Sequence, residues 1–392
     1  MRIVNVECHL LTCQQRFSSS GKVYTSSSAI VRIVTDEGLD GLGDPLTAYH
    51  CPEAIPAIVE FYKKELLGEN PIRISHLWRK MYSASLFWGR SGIALSVLSA
   101  LDNALWDIKA KSLGLPLYEL LGGLANDRLR VYATGASAVQ PLEKTVEVVK
   151  GYVAEGFTAF KMGTGYLGQP YGSLRVDEAV AQEVEKFAAL RAAVGPKIDI
   201  LIDGHQGAVT RPWSRKTALH VARAMEQHRI LLFEEPLPYN DPEGYALLRN
   251  ETSTPIAGGE SLLGLYDFAN YFRLNALDIA QPDVGYHGGT TEILRIIAAA
   301  ESHGVGLVLH NPSLGAGMMF GLHIAFARHS CELIEILPVR TELQKAVLAE
   351  PLRFEKGYLL PPTRPGAGLV WNNDLPKKFP FKPGTGERQG EG

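Results

Sequence analysis

The chain has 392 residues, 46% of them hydrophobic, and a formal net charge of −3. That length holds more than one domain, or one large barrel with an extra lobe, and the charge, with no basic stretch interleaved with aromatics, argues against nucleic acid and anionic membranes as partners. Cys8, Cys13, Cys51 and Cys331 form no C-x-x-C pair, which speaks against a zinc site or a disulfide framework and predicts a reduced, cytoplasmic setting.

The opening M-R-I-V-N-V-E-C-H lacks the apolar core of a signal peptide. No later run reaches the ~18 uninterrupted apolar residues of a membrane span. Residues 2–8 and 28–35 alternate like strands, and D-E-G follows the second as a turn. From Pro52 to Leu121 a helical rhythm takes over, clearest where Ile93, Leu95, Leu98, Leu101, Leu105 and Ile108 recur. Residues 1–125 therefore read as an α+β lobe.

From Arg130 onward short apolar runs alternate with amphipathic stretches. The runs are 131–134, 157–161, 200–203, 230–234, 254–260, 277–283, 305–310 and 332–336. Helix-like segments such as 142–155, 175–194, 216–228 and 290–303 lie between them. This repeated unit predicts a parallel α/β barrel over 126–350. A doubly wound open sheet is the alternative, but no Gly-rich phosphate loop follows a strand. Residues 351–392 read as a loop-rich segment, and R-Q-G-E-G at their end as disordered.

The run I-D-I-L-I-D-G-H-Q-G (198–207) alternates like a strand and then sets Asp203 and His205 two apart. They share a face if the strand persists; otherwise Gly204 simply begins a turn. The later runs favour a site. They end on Glu234 in F-E-E-P, Glu260 in A-G-G-E, Asp283 in Q-P-D, His310 in L-H-N-P, and Glu335. From Asp203 onward the intervals are 31, 26, 23, 27 and 25 residues, each close to one β-α unit of roughly 31. In a barrel, active sites sit at the C-terminal rim. Three carboxylates converging there would repel one another unless a divalent cation joined them. Hard oxygen donors favour Mg²⁺ or Mn²⁺ over zinc. Glu234 and Glu235 are strand neighbours facing opposite ways, so only one is expected to reach the metal.

These motifs resemble the enolase superfamily, specifically its mandelate racemase-like subgroup, over nearly the whole length. The carriers are A-L-D-N-A-L-W-D-I-K-A-K-S-L-G-L-P-L-Y-E-L-L-G-G (100–123), F-E-E-P, I-A-G-G-E, Q-P-D followed by Gly288-Gly289, and P-G-A-G-L (365–369). The resemblance implies a modified (β/α)7β TIM barrel, an N-terminal α+β capping domain, and a C-terminal segment that returns to that domain. It implies Asp203, Glu234 and Glu260 as Mg²⁺ ligands and Asp283–His310 as a dyad whose aspartate orients the base. It implies Glu335 as a donor to the substrate carboxylate or its enolate, a task that needs a protonated carboxyl. The shared chemistry is removal of the proton α to a carboxylate, with Mg²⁺ stabilising the enediolate.

Racemases of the subgroup carry K-x-K at the second strand. Here Lys161 matches the first lysine and Gly163 stands at the second, so a base on the opposite face is missing. Lys161 remains a candidate for holding the substrate carboxylate. One-face abstraction followed by elimination suits an acid-sugar dehydratase of the galactonate type, with His205 as the acid that protonates the leaving hydroxyl. Epimerisation or cycloisomerisation is the alternative. His287, His303, His323, His76 and His220 read as structural or surface residues. Loops 14–24, 44–50 and 87–90 are the candidates for substrate specificity, with Arg16, Lys22, Trp88 and Arg90 as contacts. A small acid sugar is the expected partner, and a homo-oligomer the expected assembly.

Overall fold

The computed structural model describes residues 1–16, 23–136, 141–165, 175–209, 211–313, 315–338 and 341–387. The alternating N-terminal segments pair as an antiparallel sheet, β1 (Ile3–Arg16), β2 (Val23–Thr35) and β3 (Asp40–Gly43). Three helices pack with it: α1 (Ile55–Leu66), α2 (Ile74–Ala84) and α3 (Gly92–Ser112). Helix α3 is buried almost all round, because it lies between this sheet and the barrel. Val97, Leu101, Leu105 and Ile108 join the capping core with Val31 and Ile33. Its polar residues point the other way and make the domain seam. Ser96 donates to the Gly285 carbonyl, Ser99 accepts from the Gly288 amide, Asp102 accepts from Thr291, and Asn103 accepts from Thr290. Each buried polar group there has a partner, which makes the seam affordable.

After a short helix α4 (Leu117–Leu120), strands and helices alternate. They are β4 (Leu129–Ala136), α5 (Leu142–Ala154), β5 (Ala159–Gly163), α6 (Val176–Val194), β6 (Asp199–Asp203), α7 (Arg215–Met225), β7 (Ile230–Glu234) and α8 (Pro242–Glu251). Then follow β8 (Ile256–Gly258), α9 (Leu265–Arg273), β9 (Ile279–Ala280), α10 (Gly289–Ser302), β10 (Gly306–Leu307), α11 (Gly317–Phe326) and β11 (Leu333–Ile336). Strands β4 to β10 pair in parallel in chain order, and β11 returns to pair with β4, with Glu335 opposite Tyr132. The result is a TIM-barrel-like (β/α)7β fold. Beside β10 and β11, Asn311 ties the two chain segments together: its amide donates to Glu335 Oε2 and its Nδ2 to the Glu335 carbonyl.

One layer inside the barrel explains the placement of the site. Tyr132, Ala159, Leu201, Leu232, Ala257, Val308 and Leu333 pack together there. Strand side chains repeat every two residues. Two positions beyond five of these residues stand Lys161, Asp203, Glu234, His310 and Glu335. The charged groups are thus the next layer up, at the rim.

The remaining elements are α12 (Glu342–Val347), the hairpin β12 (Phe354–Glu355) and β13 (Tyr358–Leu359), and α13 (Leu375–Lys378). The hairpin adds antiparallel to the start of β4. Beyond it, the Ala367 amide bonds to Asp107 of α3, the Thr12 amide to the Phe379 carbonyl, and the Glu387 amide to the Tyr49 carbonyl. The terminal R-Q-G-E-G lies outside the described residues. Among the described residues no helix is long and apolar enough to cross a membrane.

Candidate active site

Register sets the acidic cluster: Gly163 pairs with Asp203, and Asp203 with Glu234, so the ends of β5, β6 and β7 are level. Each of Asp203, Glu234 and Glu260 offers an oxygen within 4.8 Å of the others'. Glu234 is fully buried, and its Oε1 has no hydrogen-bond partner. An orphaned buried carboxylate oxygen is costly unless something absent from the chain serves it. Together with an all-oxygen donor set, this fits a divalent cation of the Mg²⁺ type.

Lys161 supplies the countercharge within the chain. Its Nζ lies 2.8 Å from Glu234, 3.0 Å from Asp203 and 3.1 Å from Glu335. Burial would depress the ammonium, but these carboxylates outweigh burial and hold its pKa well above the ordinary lysine value. One lysine does not balance all the acids. Burial, reinforced by Asp203, Glu260 and Glu335, keeps Glu234 well above the usual carboxylate range despite Lys161. Glu260 is raised too, mainly by burial and against the pull of His310. Ligand carboxylates must be ionised, so Mg²⁺ binding is expected to release protons and to weaken as pH falls through the range of these raised groups. Calorimetry in buffers of different ionisation heat counts the protons. A count of zero would contradict this charge balance.

The dyad is in place. His310 Nδ1 lies 2.7 Å from Asp283 Oδ2, and its Nε2 faces Glu260 at 3.2 Å and Glu335 at 4.0 Å. Asp283 is itself fixed: its Oδ1 accepts the Gly285 amide at 2.6 Å, and its own amide donates to His287 Nδ1. His287 then reaches the Leu262 carbonyl with Nε2, 2.7 Å away. It is a buried, structural histidine that braces the dyad. His323, also buried, accepts the Tyr118 amide, and burial pushes its pKa down to about 3.

Of the two alternatives for Asp203 and His205, the turn holds: the strand ends at Asp203 and His205 takes a left-handed backbone with φ +47°. The turn still brings them together. His205 Nε2 lies 3.0 Å from Asp203 Oδ2, and the ring is 48% exposed, open toward solvent. Burial lowers its affinity for a proton, but Asp203 more than offsets this and lifts the pKa to about 10. Burial pushes the Glu335 carboxyl up, yet in the metal-free chain Lys161, His310 and the Asn311 amide hold it below the ordinary range.

Asn311, which anchors Glu335, escaped the sequence reading. Glu235, 1% exposed and at φ +42°, turns its carboxylate to Ser261 and Gly207. Lys186 of α6 pairs with Glu183 at 2.9 Å and donates to the carbonyls of Gly163 and Gly165. A Glu–Lys pair three apart in a helix normally reads as a solvated surface pair, so nothing in the pattern marked it. Of the specificity loops, 44–50 touches the barrel, the Leu46 amide donating to the Gly285 carbonyl. Trp88 packs edge-on against Phe61 of the capping domain, and Phe87 is almost fully exposed. The Arg16 side chain and Lys22 lie outside what is described.

Comparison with known proteins agrees with this architecture. Residues 5–122 match the mandelate racemase/muconate lactonizing enzyme N-terminal domain, and residues 144–375 the enolase C-terminal domain-like family. The D-galactonate dehydratase of Verminephrobacter eiseniae is 34% identical over 352 residues, 88% of this chain and 89% of that protein. The arabinonate dehydratase of Saccharolobus solfataricus is 33% identical over 353 residues, 89% of this chain and 90% of that one. The 3,6-anhydro-D-galactonate cycloisomerase from Zobellia galactanivorans superimposes with a TM-score of 0.83 at 31% identity, covering 97% of this chain and 99% of that one. A racemase from Streptomyces coelicolor with bound magnesium gives 0.82 at 28% identity, covering 96% and 99%. Fold and site thus define a barrel enzyme with an acidic rim under a capping domain. The chain belongs to the mandelate racemase/muconate lactonizing enzyme family of the enolase superfamily.

Proposed function

We propose that this enzyme is a Mg²⁺-dependent acid-sugar dehydratase that converts an aldonate-type acid into its 2-keto-3-deoxy product and water. The observation that carries the reading is the arrangement of bases: His310 and His205 both stand on the acidic cluster, while Gly163 offers no side chain where a second α-carbon base would be. The names of the relatives at 33–34% identity support the same substrate class.

Asp203, Glu234 and Glu260 would hold the cation. When bound, it supplies Lewis-acid stabilisation of the negative charge that develops on the substrate carboxylate. Lys161 adds a fixed positive charge beside that carboxylate. His310 Nε2 takes the proton from C2, with Asp283 holding Nδ1–H and stabilising the imidazolium. The electron pair then forms the C2–C3 double bond as the C3–O bond breaks. His205 Nε2 gives its proton to the departing hydroxide, which leaves as water. The enol takes a proton at C3, releases its C2 hydroxyl proton to solvent, and becomes the 2-keto acid. His205, half exposed, is the group that faces a ligand entering from solvent.

The test is a panel of mono- and diacid sugars incubated with purified protein and Mg²⁺, read out as 2-keto-3-deoxy product. At least one is expected to turn over. Deuterium incorporation at the α carbon without loss of water would instead indicate epimerisation or cycloisomerisation, the reaction named for the Zobellia neighbour.

A further inference from the structure

We propose that Asp44, a carboxylate of the capping domain, is a positioning residue for the base His310. It follows β3 directly, 4% exposed. Its surroundings belong to the barrel: Ser313 Oγ donates to Oδ2 at 3.0 Å, and the amides of Ala316 and Gly317, at the start of the ten-residue α11, favour its charged form, while Oδ1 has no hydrogen-bond partner. An acid at a helix N-terminus completes orphan amides and complements the helix dipole. The receiving segment is shaped for it, since a Cβ at Gly315 or Gly317 would collide with the carboxylate. Burial and the nearby Asp283 lift its pKa to about 7 against the pull of these donors. The chain therefore maintains a buried acid here rather than an apolar plug, at a cost in desolvation.

Its location gives that acid a task. Only three positions separate His310 from Ser313, and Pro312 stiffens the connection. Asn311, in the same connection, anchors Glu335. Asp44 and Asp283 also both line one small cavity of about 10 Å³, near the lower limit for a water molecule. Two residues beyond Asp44, the Leu46 amide holds the Gly285 carbonyl, and the Gly285 amide holds Asp283. The capping domain thus grips both halves of the dyad, the aspartate through Gly285 and the histidine through Ser313. Displacing a catalytic group by an ångström costs roughly 100-fold in rate.

This proposal rests on His310 being the base in the reaction above, so its test has one arm with substrate and one without. Asp44→Asn keeps the volume and an acceptor oxygen but turns an N–H₂ toward the α11 amides. Ser313→Ala, the milder change, removes the bond to Asp44 and the one Ser313 accepts from the Gly315 amide, and covers the case in which Asp44→Asn does not fold. In the first arm, with Mg²⁺ and the acid sugar turned over by wild type, kcat is expected to fall roughly 10- to 100-fold, with KM and Mg²⁺ affinity held within about two-fold. In the second arm, deuterium exchange at the imidazole Cε1 carbons is followed by mass spectrometry without substrate. His310 is expected to change rate by more than about two-fold while His287 and His323 stay as in wild type, because only the ring held by the Asp44 segment is displaced. An unchanged His310 rate in both variants overturns the proposal, whatever happens to turnover. So does a changed rate with wild-type kcat, or a kcat loss matched by equal losses in KM and metal affinity. If wild type turns over no acid sugar, the dehydratase reading falls and the exchange arm alone decides the proposal.

Discussion

His310→Asn is expected to lower dehydration roughly 10²- to 10⁴-fold, the usual contribution of a positioned acid or base. Asparagine keeps an amide for Asp283 but cannot take a proton. Solvent deuterium incorporation at C2 should vanish in parallel, since His310 is the base assigned to that proton. Mg²⁺ affinity should not weaken, because asparagine brings no positive charge to the place the imidazole holds, 3.2 Å from Glu260. His205→Asn is expected to behave differently. It should keep C2 exchange while losing elimination, the pattern of an enzyme that forms the enolate and fails to expel hydroxide. Full dehydration by His310→Asn would remove the base assignment. Wild-type turnover by His205→Asn would remove the acid assignment.

The contrast between these histidines shows what the sequence could carry. The rim was legible because two periodicities are superimposed on it. The β-α unit recurs about every 25–30 residues, and strand side chains repeat every two. Lys161, Asp203, Glu234, His310 and Glu335 each stand two positions beyond a buried residue of one interior layer. A residue on a strand inherits its direction from that alternation. His205 stands past the strand end, where a left-handed turn sets direction, so strand alternation could not place it although the pairing with Asp203 exists. The electrostatics of Glu335 were not legible in the sequence for a related reason. Its charge state depends on Lys161, His310 and the Asn311 amide meeting it in space, and no spacing encodes that meeting. Asp44 bonds to Ser313 across 269 positions and a domain boundary. Lys186 reaches the end of β5 from the helix that follows. Such groups are fixed by packing between elements, and single-sequence periodicity describes elements one at a time.

The same electrostatics gives the second large effect. In metal-free protein Lys161 is the fixed cation among three carboxylates, and it is 5% exposed. Lys161→Met preserves the apolar stem and removes the charge. Leaving buried charges uncompensated costs about 3–5 kcal/mol, which in a chain of this size corresponds to a fall in Tm of roughly 4–6 °C. The acids have one way to relieve the loss, which is to take up protons, and Glu234 already leans toward protonation. Its folded pKa lies above the unfolded value, so the stability that proton confers is present at low pH and is lost as pH rises through the raised value. The deficit of the variant relative to wild type should therefore be larger at pH 8 than at pH 6. Mg²⁺ offers the alternative countercharge. Saturating Mg²⁺ should raise the melting temperature of Lys161→Met by more than that of wild type, since it repairs a defect only the variant has. Thermal melts at the two pH values, with and without Mg²⁺, decide the matter. Equal stability of variant and wild type at pH 8 without metal would mean that the lysine does not hold the cluster together. Its place at the rim would then be explained by substrate alone.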